Sequence, residues 1–230
     1  MVKLEKGNKY KRKFFMAMIF TFISGYIDIL GLVSIGGMFL SFMSGNTTRI
    51  GYFLANGDFS FAIPYFIIIF AFVLGSFIGG ILKELIKKEI LLIVLISDIL
   101  LIILSMIFYV CGLDWLTYIP LTIAMGLQNI AQVRVNKIVI GKTFASGTLH
   151  ALGISLAKLV FKKEQPTTPL IYFTSWAAAL LGALIGALLF YRIGLEFSLL
   201  TMLIILFLLF FWVLYLELIA KDTDILIEEN

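Results

Sequence analysis

Long apolar runs recur along this chain, separated by short polar gaps. Six of them, residues 14–33, 61–82, 90–111, 115–133, 169–191 and 197–220, are long enough to cross a hydrocarbon core as helices, which takes about 20 residues each. Two further stretches, 35–56 and 139–161, are apolar but built differently. Each opens on β-branched and aromatic residues around glycine and then reaches a small polar step. The steps are Met43-Ser44-Gly45-Asn46-Thr47-Thr48 and Ala145-Ser146-Gly147-Thr148. Only after them does a helical pattern of about 11 residues follow, which at 1.5 Å per residue covers half the hydrocarbon thickness. The pattern predicts two broken helices set among six spans.

Composition agrees with a lipid solvent. The chain is 61% hydrophobic and 14% charged, against about 25% charged in an ordinary soluble domain, and its mean hydropathy is +1.07. One membrane domain covering 1–230 is expected. The net charge of +4 does not point to nucleic acid, because the basic residues flank apolar segments, where they set orientation. Six Lys/Arg precede Phe14, yet the apolar run behind them is too long for a cleaved signal sequence, and it reads as a retained first span. A single Cys111 and a single His150 leave little for a disulfide, a zinc site or a haem. No cofactor and no metal are expected.

Charge also orients the two broken stretches. If both enter and leave on one side, only Arg49 and Arg192 of the 18 Lys/Arg lie outside. If both cross fully, Lys83, Lys87, Lys88, Arg134, Lys137, Lys142 and Arg192 fall outside instead. Positive residues prefer the cytoplasmic side. The expected topology is therefore six spans, two re-entrant segments, and both termini in the cytoplasm of an inner-membrane protein.

The chain also carries an internal repeat, about 14–112 and 115–220. Ser24-Gly25-Tyr26-Ile27-Asp28 matches Met125-Gly126-Leu127-Gln128-Asn129 at an offset of 101. Ser44-Gly45-Asn46 and Gly51 match Ser146-Gly147-Thr148 and Gly153 at 102. Leu74-Gly75-Ser76-Phe77-Ile78-Gly79 matches Leu181-Gly182-Ala183-Leu184-Ile185-Gly186 at 107. Three spans per copy is an odd number, so the second copy enters the membrane upside down. The fold expected is an all-α membrane protein of two inverted three-span repeats, the plan of many transporters whose sites lie at discontinuous helices.

The boxes Ser-Gly-Tyr-Ile-Asp, Gly-Gly-Met-Phe, Met-Ser-Gly-Asn-Thr, Ala-Met-Gly-Leu-Gln-Asn and Ser-Gly-Thr together resemble the YoaK-type family, small bacterial inner-membrane proteins of unknown function. The likeness covers nearly the whole chain. Members more often carry Thr where Ser44 stands. The resemblance implies a membrane address and no activity.

The candidate binding residues follow from the broken helices. Ser44, Gly45, Asn46 and Thr47, with Ser146, Gly147 and Thr148, stand where half-helices begin. Such ends present orphan N–H groups and partial positive charge, suited to an anion or polar ligand; the bland role is capping. Asp28, inside the first span, is a proton or cation carrier, or else a structural partner of Arg49 or Gln128; an intramembrane carboxylate marks a functional site by default. Gln128 and Asn129 either line a polar path or bond between helices. Asp98 and His150 read as structural. Gly75/Gly79 and Gly182/Gly186 let backbones approach closely, between the two copies or in a homodimer. The function these features favour is a small transporter or channel for a small polar or anionic solute. A non-transporting structural or regulatory membrane protein is the alternative, and an enzyme is not expected.

Overall fold

The computed structural model describes residues 2–86, 90–131, 133–135, 138–140 and 145–218, with side chains over 11–86, 90–131 and 145–216. Seven helices appear: α1 (Val2–Ser34), α2 (Met43–Ala55), α3 (Phe59–Leu85), α4 (Ile90–Val110), α5 (Tyr118–Gln128), α6 (Ala145–Val160) and α7 (Thr167–Leu218). Between α5 and α6 lies a short antiparallel hairpin of β1 (Val133–Val135) and β2 (Ile138–Ile140), with Arg134 opposite Val139. Lys87, Lys88, Lys137 and Lys142, which enter the charge argument, lie outside the described residues. So do residues 219–220 of the last expected span.

Among the described residues, four apolar stretches are long enough to cross a membrane: Lys11–Ser34, Phe59–Leu85, Ile90–Val110 and Thr167–Leu216. The last is two helices. Gly194 sits at φ 78°, ψ 178°, a backbone state that favours glycine, and contacts show the chain turning back there. Gly182 and Gly186 lie against Phe22 and Tyr26 of α1 in ascending order. Beyond the break, the Tyr26 hydroxyl donates to the Ser198 carbonyl at 2.9 Å, and Phe15 meets Trp212 edge-on at 5.3 Å. The first half of α7 thus runs parallel to α1 and the second antiparallel to it.

One expectation is corrected. The segment 115–133 is helical only over Tyr118–Gln128, about 17 Å of rise against a core of about 30 Å. Thr117 begins it with its carbonyl held by the Ser105 hydroxyl of α4 at 2.7 Å. Its far end leaves the helix through turns at Asn129 and Ile130. The chain is otherwise helical, apart from the short strands at 133–135 and 138–140. The β-branched run Val133-Arg134-Val135 and Ile138-Val139-Ile140 suits a strand.

Backbone contact at glycine organises the packing. A β-carbon at Gly25 would overlap the carbonyl oxygen of Ala179, and one at Gly182 would overlap that of Phe22. In a second crossing, a β-carbon at Gly126 would overlap the Phe72 carbonyl oxygen, and one at Gly75 that of Ile123. The third contact also repeats: Gly186 faces the Ile29 side chain and Tyr26 carbonyl, while Gly79 faces the Ile130 side chain and Leu127 carbonyl. Phe22, Gly25, Tyr26 and Ile29 correspond to Ile123, Gly126, Leu127 and Ile130 at the sequence offset of 101. Ala179, Gly182 and Gly186 correspond to Phe72, Gly75 and Gly79 at 107. Both glycine pairs are used inside the chain, between its two halves.

Outside these crossings the surface is apolar, as lipid requires. Phe66, Phe70 and Phe77 of α3 are exposed, as are Leu184, Leu188 and Phe211 of α7. Gly25→Ala and Gly126→Ala should each lower stability by about 1–3 kcal/mol, because the overlapped atoms are backbone and cannot rotate aside. Gly80→Ala and Gly153→Ala, which meet open space in helices, should be neutral or raise it by about 0.5–1 kcal/mol. Thermal unfolding of the four variants in detergent checks the contrast.

Candidate functional site

The site begins where α1 ends. Gly36 and Gly37 take φ of 71° and 86°, and the chain folds back along α1 instead of continuing the helix. The N–H groups of residues 40–42 then have no helical partner, and Asp28 supplies one. Its Oδ1 accepts from the backbone of Leu40 at 2.8 Å, Ser41 at 2.6 Å and Phe42 at 3.3 Å. Its Oδ2 accepts from the Ser41 hydroxyl at 2.6 Å, and the Ser24 hydroxyl lies 2.6 Å from that of Ser41. With the Ser41 proton directed to Asp28, Ser24 is left to donate to Ser41. The partners of Asp28 are therefore this loop, and not Arg49 or Gln128.

The first Ser-Gly step has the same local purpose. Asn46 is fully buried; its Oδ1 accepts from Phe39 N at 3.0 Å and its Nδ2 donates to Phe39 O at 2.6 Å. One side-chain amide thus satisfies both backbone groups of Phe39, as a neighbouring strand would. Gly45 passes the Phe39 ring where a β-carbon would lie 2.9 Å away. Helix α2 starts at Met43, and Phe42 before it gives no side-chain cap, so Ser44 is not the capping residue. Thr47 and Thr48 donate within the helix, to Met43 O at 2.9 Å and Ser44 O at 3.1 Å. Six residues into α2 the chain is back beside the end of α1: Arg49 donates to the Tyr65 hydroxyl at 3.3 Å, which donates to Gly36 O at 3.2 Å. Phe53 then stacks on Phe61 of α3 at 5.7 Å.

A cavity of about 160 Å³ lies between α1, this loop, the start of α6 and the first half of α7. From α1 it takes Thr21, Ser24, Gly25 and Asp28, which share one helix face at i, i+3, i+4 and i+7. The loop gives Phe39 and Phe42, α6 gives Ala145 and Thr148, and α7 gives Ser175, Trp176 and Ala179. Thr21 is satisfied in its own helix, donating to Ala17 O at 2.8 Å. Ser175 is 1% exposed, and its hydroxyl has no hydrogen-bond partner.

Of the residues expected to bind, the cavity unites Asp28 and Thr148. Ser146 and Gly147 are exposed at the start of α6, and Ser44 and Thr47 are exposed on α2; Gly45 and Asn46 shape the loop. Gln128 and Asn129 are elsewhere. Gln128 donates to Asp98 Oδ2 at 3.2 Å, both residues being buried, and Asn129 donates to Met125 O at 3.1 Å. Sequence reasoning missed Thr21, Ser24, Ser175 and Trp176. The Thr21-Ser24-Asp28 stripe was visible as spacing on one helix face; Ser175 had no signal beyond being a hydroxyl in an apolar run.

The chain belongs to the family described as "Protein of unknown function (DUF1275)", which matches residues 16–212. It is an integral membrane protein family, as the sequence resemblance implied. A UPF0700 transmembrane protein of Rhizobium meliloti (strain 1021) is 29% identical over 179 residues, covering 76% of this chain and 74% of that protein. No solved structure matches.

Asn46→Ala strands both backbone groups of Phe39 and should cost about 1–3 kcal/mol. Thr47→Ala, on the exposed face, should stay within about 0.5 kcal/mol of the parent. Denaturant unfolding in micelles measures both.

Proposed function

We propose that the protein is a small transporter or channel of the inner membrane, with both termini cytoplasmic, acting on a small polar or anionic solute at a central site. The observation that carries this reading is the cavity itself. It gathers an intramembrane carboxylate, Asp28, the loop before one short helix, and the first turn of the other. Polar groups at membrane depth are costly and ordinarily face a substrate or ion path.

The architecture proposed is an inverted pair of three-span repeats, in which the short α5 crosses together with the turns that flank it, Trp115–Thr117 and Asn129–Ala131. Its support is the two glycine crossings, which agree contact by contact at the same offsets as the sequence motifs. In each, the first span of one half packs on the second span of the other, and the α1–α7 crossing runs parallel, as the α3–α5 crossing does. Helices α2 and α6 have 13 and 16 residues, about 20 and 24 Å, too short to span. Contacts at Asp28 and then at Gly36 bring α2 down to the level of the cavity and back, which supports a re-entrant path. Rocking of the crossed helix pairs around a fixed site would give alternating access.

A specific observation favours the non-transporting alternative: Asn46, Ser41 and most of the bonding capacity of Asp28 serve the loop. Flux decides between the two. Proteoliposomes screened with a broad solute panel should move at least one solute, and Ser175→Leu, which fills the cavity, should abolish that movement. A panel in which nothing moves leaves the structural reading. Reporter fusions at Gly57 and Gln165 should report outside and cytoplasm respectively; the opposite result at either position overturns the re-entrant topology.

A further inference from the structure

The cavity has two electrically opposite sides. Asp28 brings a carboxylate, and among the described residues no Lys, Arg or His forms an ion pair with it. Arg49 is turned to Tyr65 beside Gly37. Three of the Asp28 bonds load Oδ1, whereas Oδ2 accepts only the Ser41 hydroxyl. A carboxylate oxygen has two lone pairs, so Oδ2 retains room for a donor. A simple anion would meet this negative charge in a medium of low dielectric.

The other side is the start of α6. Ala145 and Thr148, one turn apart, line the cavity, so the first-turn N–H groups and the positive end of the helix dipole belong to that wall. No acidic residue lies in the first turn of α6. Before α2 the protein supplies its own carboxylate, Asp28; the matching position before α6 is Asn129, whose amide donates to Met125 O. Beside the α6 start, the buried Ser175 lines the cavity, and its hydroxyl has no hydrogen-bond partner. A buried hydroxyl without a hydrogen bond is costly, and a ligand oxygen would satisfy it.

We infer that the cavity takes a small zwitterion, a free amino acid of about five to eight non-hydrogen atoms. Its carboxylate would lie at the start of α6 against Ser175 and Thr148, and its ammonium would donate to Asp28 Oδ2. The size follows from the volume: an apolar cavity of about 150 Å³ holds benzene, and this one is about 160 Å³. Phe42 and Trp176 leave an apolar wall for a short side chain. This assignment rests on the central site proposed above and names its ligand class.

The test uses the full chain in detergent and in proteoliposomes. Glycine, L-alanine, L-serine and L-proline are compared with propionate and ethylamine, each of which carries one of the two charges. At least one of the four amino acids should raise the unfolding midpoint at millimolar concentration, and neither single-charge probe should do so. Ser175→Ala should weaken that amino acid about tenfold, as loss of a hydrogen bond to a charged group does. Ser175→Leu should abolish the shift while its ligand-free midpoint stays near the parent's. A shift as large with propionate or ethylamine alone, or none with any amino acid, overturns the assignment. The two readings fail separately: amino-acid binding without exchange across the bilayer removes the carrier, and exchange of some other solute without amino-acid binding removes the zwitterion.

Discussion

A backbone that leaves the helical ladder inside a bilayer has no water to bond, so every freed N–H and C=O must find a partner in the protein. That constraint explains the most unusual residues here. Between Ser34 and Met43 the chain is not helical, and its amides are answered one by one: residues 40–42 by Asp28, and Phe39 on both sides by Asn46. A carboxylate suits three converging donors because it accepts at several lone pairs, and a carboxamide suits one residue because it both donates and accepts. Exchanging the two would leave each segment half satisfied. The position of α2, and through it of Phe39 and Phe42 on the cavity, depends on these bonds.

The glycine crossings meet a second constraint of the same solvent. Lipid gives no hydrophobic drive to associate helices, so close van der Waals contact must hold them together. At Gly25, Gly75, Gly126 and Gly182 the approach is so close that a β-carbon would occupy a carbonyl of the facing helix. Because each crossing joins one half of the chain to the other, neither half encloses its own spans. The fold is therefore fastened at two places, α1 on the first half of α7 and α5 on α3, and the cavity sits at the first of them, with Gly25 and Ala179 in its wall.

How much of this was legible follows from period and offset. Apolar length marked α1, α3, α4 and both halves of α7, and the repeated Gly-x-x-x-Gly pairs pointed to close packing, because both signals are local. The shortness of α5 was hidden, since 115–133 is long and mostly apolar, and the polar Gln128-Asn129 step where the helix ends reads equally as a polar patch inside a span. Asp28 was singled out by its cost in a membrane, but its partners were misassigned to other side chains. The true partners are mainly backbone groups, which every residue carries and no pattern reveals. Ser44, Asn46 and Thr47 drew attention as polar residues in an apolar run; their bonds are largely internal. Ser175 drew none, because a single hydroxyl in a helix usually bonds back to its own turn, and only the packing shows that this one does not.

The halves share a plan and differ in polarity, and the difference falls on the cavity. At the sequence offsets, Asp28 answers to Asn129, Ser24 to Met125, Thr148 to Asn46, Ser175 to Ile68 and Trp176 to Ile69. Ile68 and Asn46 are fully buried, and Asn46 is bonded to its own loop. The positions that give the cavity its polar wall, drawn from both halves, are matched by apolar residues or by amides bonded to their own backbone. The six glycine contacts of the two crossings are meanwhile kept at matching positions. Divergence at the wall of this cavity fits the single site proposed above, built on a twofold scaffold. The crossing occurs twice, and the polar cavity, lined by both copies, lies at the α1–α7 one.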